Sequence, residues 1–238
     1  MRSPQNTATT LARSWFVRGR LVGAAAIAFA VLVVIENAVL AASGAQSYDA
    51  PIEEVLAYYA ANRDAVAIVS GLVALYLPLL LVFVTGLHGL VERRGGAGAD
   101  WSRLAVAAGA TLAAVFAFYA VLWDGVVLSA GELAEPSPLF QLVWQLHAGA
   151  FALALSALGT TFIGAALAAH ASRLAAPWQR VLGVAGGGLL IAAGVANLAI
   201  ADGSPILFVG LLGYAAWLVW LLVTGVRLVL MPRKVGAA

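Results

Sequence analysis

Three side chains set within otherwise apolar stretches of this chain have the chemistry to hold a proton or a cation: Glu36, Asp124 and His147. An ionisable group at the centre of a bilayer costs about 2.5–3.5 kcal/mol on insertion scales, so each needs a reason to be there. The amides Asn37, Gln141, Gln145 and Asn197 stand near them as hydrogen-bonding partners, and Tyr119, Trp123 and Trp144 supply aromatic walls. Depth counting puts all of them in one layer. Glu36 lies sixteen residues past Arg20, Asp124 twenty-one past Arg103 and Asn197 seventeen past Arg180, while the stretch carrying Gln141, Gln145 and His147 enters from the opposite side near Pro138. Two readings follow. In one, four helices build a pocket open to the outside, where Glu36, Asp124 and His147 bind a cation, a proton or a polar head group. In the other, Asp124 is interfacial with Trp123 as a belt anchor, Glu36 is satisfied by Asn37, Asn197 or a glutamine, and His147 is a satisfied core histidine.

Helical phase sets a condition on such a pocket. Gln141 and Gln145 are four apart and share a face, whereas His147 shares its face with Trp144 and Phe151. The two faces differ by roughly 120°, so one pocket holds all three polar side chains only by wrapping the helix. The remaining histidines, His88 and His170, sit at matched depth near the arginine-rich ends of two parallel helices and would be the ligands of a metal or haem. A two-haem b-type arrangement needs four such ligands, and the chain has three histidines and no cysteine. No cofactor is therefore expected. The glycine run Gly186–Gly188 lies inside an apolar helix and cannot cradle a phosphate, and no lysine sits in an apolar segment to form a retinal Schiff base.

The elements that position these residues follow from composition. Hydrophobic residues make up 63% of the 238 residues and charged residues 10%, with mean hydropathy +0.97, against about 25% charged residues in soluble domains. Six apolar runs stand out, at about 21–42, 65–91, 104–130, 139–169, 181–201 and 205–230. Each approaches or exceeds the ~20 residues that span a bilayer as a helix. The expected fold is an all-α, polytopic transmembrane helix bundle of six spans. A basic segment over 1–20 precedes it and a tail over 232–238 follows it. The first run resembles a secretory signal, but its length fits a membrane helix better.

Arginine sets the orientation. Arg2, Arg13, Arg18 and Arg20, then Arg93, Arg94 and Arg103, then Arg173 and Arg180, and finally Arg227, Arg233 and Lys234 all fall on one side. Arg63 alone falls on the other, among Asp49, Glu53, Glu54, Asp64, Glu132, Glu135 and Asp202. The positive-inside rule then predicts cytoplasmic N- and C-termini.

Finer features follow from local signals. Pro51, Glu53 and Glu54 suit a helix start, so a short helix over about 51–63 is expected, either on the outer surface or as an extension of the second span. Pro78 should kink that span. Gly183, Gly187, Gly194, Asn197 and Ala201 form one small-residue stripe, which predicts a central fifth span.

The stretch Pro51-Ile-Glu-Glu-Val-Leu-Ala-Tyr-Tyr-Ala-Ala-Asn-Arg, the helix end Gly86-Leu-His-Gly-Leu and the segment Ala176-Pro-Trp-Gln-Arg-Val-Leu-Gly carry a family likeness. Through them the chain resembles a broad group of uncharacterised bacterial multi-pass membrane proteins common in actinobacteria. The resemblance implies a six-helix bundle in a bacterial inner membrane and transfers no catalytic residue or substrate.

The function expected from sequence is non-enzymatic: an accessory subunit of a larger membrane complex, or a binder of a lipid or other hydrophobic ligand at the outer leaflet. Its partners are the lipid bilayer, a larger complex or further copies of itself, with no nucleic acid. A small transporter or channel relaying protons or cations through Glu36, Asp124 and His147 is the alternative, and a haem- or metal-dependent membrane enzyme comes third.

Overall fold

Long runs of Ala, Leu and Val have one way to satisfy their backbone polar groups in lipid, the helix, and the chain takes it throughout. The computed structural model describes residues 4–231, with side chains from Gly19 onward. The tail 232–238 with Arg233 and Lys234, Arg2, and the side chains of Arg13 and Arg18 lie outside the described residues. The helices are α1 (Pro4–Ser43), α2 (Ile52–Ala61), α3 (Arg63–Arg93), α4 (Ala99–Ala130), α5 (Pro138–Ala171), α6 (Pro177–Val195), α7 (Asn197–Ala201) and α8 (Leu207–Val229). No strand occurs among the described residues. Six helices are long and apolar enough to cross a membrane: α1 from Gly19, α3, α4, α5, α6 and α8. The protein has the fold of an all-α multi-pass membrane protein.

The six spans close into a ring. α1 packs on α3 and α8, α3 on α4, α4 on α5, α5 on α6, and α6 on α8. Consecutive spans alternate in direction, so every neighbour in the ring is antiparallel. The expectation of a central fifth span is corrected here. In the fourth span, α5, 61% of the apolar window is buried, against 39% in the fifth, α6. The reason lies in how small residues are distributed. The glycines of α6 give it one close-packing stripe, whereas α5 carries Gly159 and Gly164 on different sides. The first sits against Gly187 and Ile191 of α6, and the second against Trp101 and Ala105 of α4. Small residues on several faces let α5 be enclosed from several sides.

Glycine-on-glycine approaches fix three of the crossings. A Cβ on Gly159 would lie 2.5 Å from the carbonyl of Gly187, one on Gly213 the same distance from that of Gly186, and one on Gly23 the same distance from that of Gly225. These pairs join α5 to α6, α6 to α8 and α1 to α8, and no residue with a side chain fits there without a backbone shift.

Local chemistry places the breaks. Ser137 caps α5 by accepting from the Phe140 N–H at 3.1 Å, with Pro138 in the first turn. The fifth span ends at Val195, short of the expected 201, and α7 restarts at Asn197. The Asn197 amide donates to the Gly194 carbonyl at 3.3 Å, a side-chain competitor for the helical backbone at the break. α2 is a helix of its own, ended where the Asn62 amide donates to the Tyr58 carbonyl at 3.0 Å. α3 continues unbroken through Pro78.

The two ends of the ring differ in charge. At one, Arg94 donates to the carbonyls of Ser172 and Arg173, both at 3.2 Å, and the Ser172 hydroxyl donates to the Ala97 carbonyl at 2.6 Å, locking the α3–α4 and α5–α6 loops together. Arg103 pairs there with Glu92 at 3.5 Å and Asp100 at 3.2 Å. At the other end, the 44–51 and 131–137 segments and the α7–α8 turn carry Asp49, Glu132, Glu135 and Asp202, with Arg63 beside Gly131.

Candidate functional site

The spans bring one carboxylate into the interior. Glu36 falls on the stripe of α1 that also buries Phe29, Ala30 and Val33, and so it points into the bundle with only 6% of its surface exposed. The Tyr76 hydroxyl, from α3, donates to its Oε1 at 3.4 Å. Asn37 donates to the Tyr214 hydroxyl, from α8, at 3.5 Å and to the Val33 carbonyl at 2.8 Å. The partner expected for Glu36 was an amide; the structure supplies a phenol instead. No arginine or lysine among the described residues pairs with it.

A second part of the layer surrounds His147. The imidazole is 2% exposed and stacks between Tyr119, with centroids 4.2 Å apart at 21°, and Trp144, at 5.2 Å and 19°. Its Nδ1 lies 3.5 Å from the Tyr119 carbonyl, the geometry of a donated N–H. Trp123 and Tyr48 close the ring around it at 5.6 and 6.1 Å. The Trp123 indole N–H donates to the Tyr59 hydroxyl at 3.0 Å, and Tyr58 shares a hydrogen bond of 2.6 Å with Ser43. Phe116, edge-on to Tyr76 and tilted on Tyr119, links the Glu36 and His147 halves. Five of the six tyrosines are therefore joined through ring contacts, Tyr76 by way of Phe116, and the sixth, Tyr214, meets Asn37 beside Glu36. Burial, with Tyr59 adding to it, pushes the Tyr48 phenol well above its ordinary value, against the smaller opposing effect of the Tyr119 hydroxyl. Burial does the same for Tyr59.

The other residues singled out from sequence go elsewhere. Asp124 is exposed on the flank of the bundle, where its Oδ1 accepts from the Ser70 hydroxyl of α3 at 2.7 Å. Gln141 and Gln145 are exposed as well, on the face of α5 opposite in character to that of His147. Of the two readings, the pocket uniting Glu36, Asp124 and His147 is not formed, since Asp124 faces outward, and the glutamines do not join His147, since α5 presents its imidazole inward and its amides outward. Asn197 is half-buried and spends its amide on its own helix break. Of the predicted set, the structure brings together Glu36, His147, Tyr119, Trp123 and Trp144, with Asn37 at the margin.

The residues missed were Tyr48, Tyr59, Tyr76 and Tyr214. Depth counting would have found Tyr76 and Tyr214, which lie toward the same ends of their spans as Glu36. Their convergence depends on the order of helices around the ring, which no single span encodes.

His88 shares a 2.8 Å hydrogen bond with Ser102 of α4, and the Nδ1 of His170 is buried with no hydrogen-bonding partner among the described residues. No group of three or more His, Asp or Glu side chains able to hold a metal ion occurs among those residues.

Chemically, the cluster offers one carboxyl, a set of phenol hydroxyls and an imidazole held between two rings. That is a hydrogen-bonding layer, without a nucleophile set beside a base and a third orienting group. No family model, curated protein or solved structure matches the chain.

Proposed function

We propose that this chain is a non-enzymatic multi-pass protein of a bacterial inner membrane, with both termini in the cytosol, acting as an accessory subunit of a larger membrane complex. The observation that carries this reading is the division of polar side chains within the spans. Glu36 and His147 are enclosed by aromatic rings, whereas Asn37, Asp124, Gln141 and Gln145 face outward at the same end of the ring. Asn37 and Asp124 have partners within the chain, whereas Gln141 and Gln145 make no side-chain hydrogen bond among the described residues, and a neighbouring protein would satisfy such outward amides through interhelical hydrogen bonds. A lipid head group at the outer leaflet is the other occupant of that flank. Purification from the native membrane with mass spectrometry tests the choice. A stoichiometric membrane partner, lost in the Asp124→Leu/Gln145→Leu variant, supports the subunit. A wild-type chain that purifies alone and monomeric contradicts it.

One observation favours a second reading, a small transporter relaying protons. Glu36 is a buried carboxyl whose hydrogen-bonding partner is a phenol, a pair able to pass a proton. Proton flux into liposomes that is abolished by Glu36→Leu supports it, and flux unchanged by that substitution removes it.

A further inference from the structure

The arginine-rich end carries a feature that the accessory-subunit reading does not use. An open groove of about 670 Å³ lies between the α5–α6 loop and the last turns of α8. Arg94, Arg173 and Arg227 line it together with apolar side chains that include Leu222, Val226 and Leu230, and no carboxylate among the described residues lines it.

Two of the three arginines are held in place by side-chain hydrogen bonds. Arg94 is anchored through Nη1 to the carbonyls of Ser172 and Arg173 and through Nη2 to the Met231 sulfur at 3.3 Å. Arg227 is steadied from behind, donating to Oε1 of Gln179 at 3.5 Å, and the fully buried Gln179 in turn donates to Thr224 at 2.9 Å. Arg173 adopts φ 56°, a left-handed conformation that residues with a Cβ rarely take, and it makes no hydrogen bond through its side chain among the described residues. Partial burial, then the nearby Arg227 charge, disfavour the Arg94 cation. Three like charges converge on an amphipathic groove with no counter-charge among the described residues, and an anion there would make the arrangement favourable.

We infer that this groove binds the phosphodiester head group of an anionic phospholipid from the leaflet on the arginine side, with an acyl chain running along Leu222, Val226 and Leu230. Guanidinium groups match phosphate oxygens with paired N–H donors, and the apolar wall is continuous with the lipid-facing surface of α8. A free phosphate shares the head-group chemistry but leaves the apolar wall uncovered, so the experiment separates the two sources. The inference stands independently of the partner proposed for the opposite end.

Native mass spectrometry of the purified chain, titrated with phosphatidylglycerol or with zwitterionic phosphatidylcholine, reads binding directly. Arg94 also ties two loops together, so the informative variant is Arg173→Gly/Arg227→Gln. It keeps the Arg94 bonds, and glycine suits the left-handed turn. The control is Arg103→Gln, which removes a charge from the same end outside the groove. Wild type and control should prefer phosphatidylglycerol by about fivefold or more, from interfacial arginines each worth about 1 kcal/mol, and the double variant should lose that preference. The inference is overturned if the double variant keeps the preference, if the control loses it equally, or if excess inorganic phosphate displaces the lipid completely, which would assign the groove to a free anion.

Discussion

The Tyr76 hydroxyl reaches Oε1 of Glu36 across the α1–α3 interface at 3.4 Å, and this bond is the carboxyl's sole hydrogen bond in the described structure. Tyr76→Phe should therefore lower stability by about 1–3 kcal/mol, because it leaves a buried acceptor unsatisfied. In a Glu36→Leu background the same change should cost clearly less, since the acceptor is gone. A double-mutant cycle on thermal unfolding in detergent measures the coupling, and additive effects would show that the two groups do not interact.

The Tyr59 hydroxyl is the acceptor for the indole N–H of Trp123, a side chain 2% exposed. Tyr59→Phe keeps the ring and removes the acceptor. The expected loss is about 1–2 kcal/mol, with a shift in tryptophan emission. Unchanged stability would mean that the indole finds another partner.

Two adjacent glycines in α6 should respond in opposite ways. A Cβ on Gly187 would lie 2.7 Å from the Gly159 carbonyl, while one on Gly188 would meet nothing within 4 Å. Gly187→Ala should destabilise the bundle by about 1–3 kcal/mol as the α5–α6 crossing opens. Gly188→Ala should be neutral or slightly stabilising, because alanine is the better helix former. Thermal midpoints of the two variants, measured side by side, decide this.

The spans were legible because hydrocarbon thickness demands about 20 apolar residues and offers the backbone no water. Glu36 was legible for the same reason, as a charge inside such a run. The outward turn of Gln141 and Gln145 relative to His147 followed from helical phase, although the burial of one face and exposure of the other did not. The aromatic enclosure was not legible. Tyr76, Tyr119 and Tyr214 come from three helices whose neighbours around the ring are fixed by packing between distant glycines, such as Gly23 with Gly225. The centrality of α5 was hidden likewise, because its small residues are spread around the helix and form no single stripe.

Alkaline titration follows from Tyr48 and Tyr59, both outside the spans. Burial raises each phenol above its ordinary 10 in the folded chain. A group raised on folding contributes its stability in full below the unfolded value and loses it as pH climbs above. Stability should hold up to about pH 10 and fall beyond it, with tyrosinate absorbance from these residues appearing together with unfolding. Ionisation of all six tyrosines near pH 10 in a chain that stays folded would contradict the enclosure.

The central claim is a six-span bundle whose arginine loops share one side of the membrane and whose acidic loops share the other. The chain has no cysteine, so single cysteines report cleanly. Ala97→Cys in the α3–α4 loop and Glu132→Cys in the α4–α5 loop are each exposed. In intact spheroplasts, a membrane-impermeant maleimide should label Glu132→Cys at once and Ala97→Cys only after permeabilisation. Equal labelling of both before permeabilisation would contradict the fold's placement in the membrane.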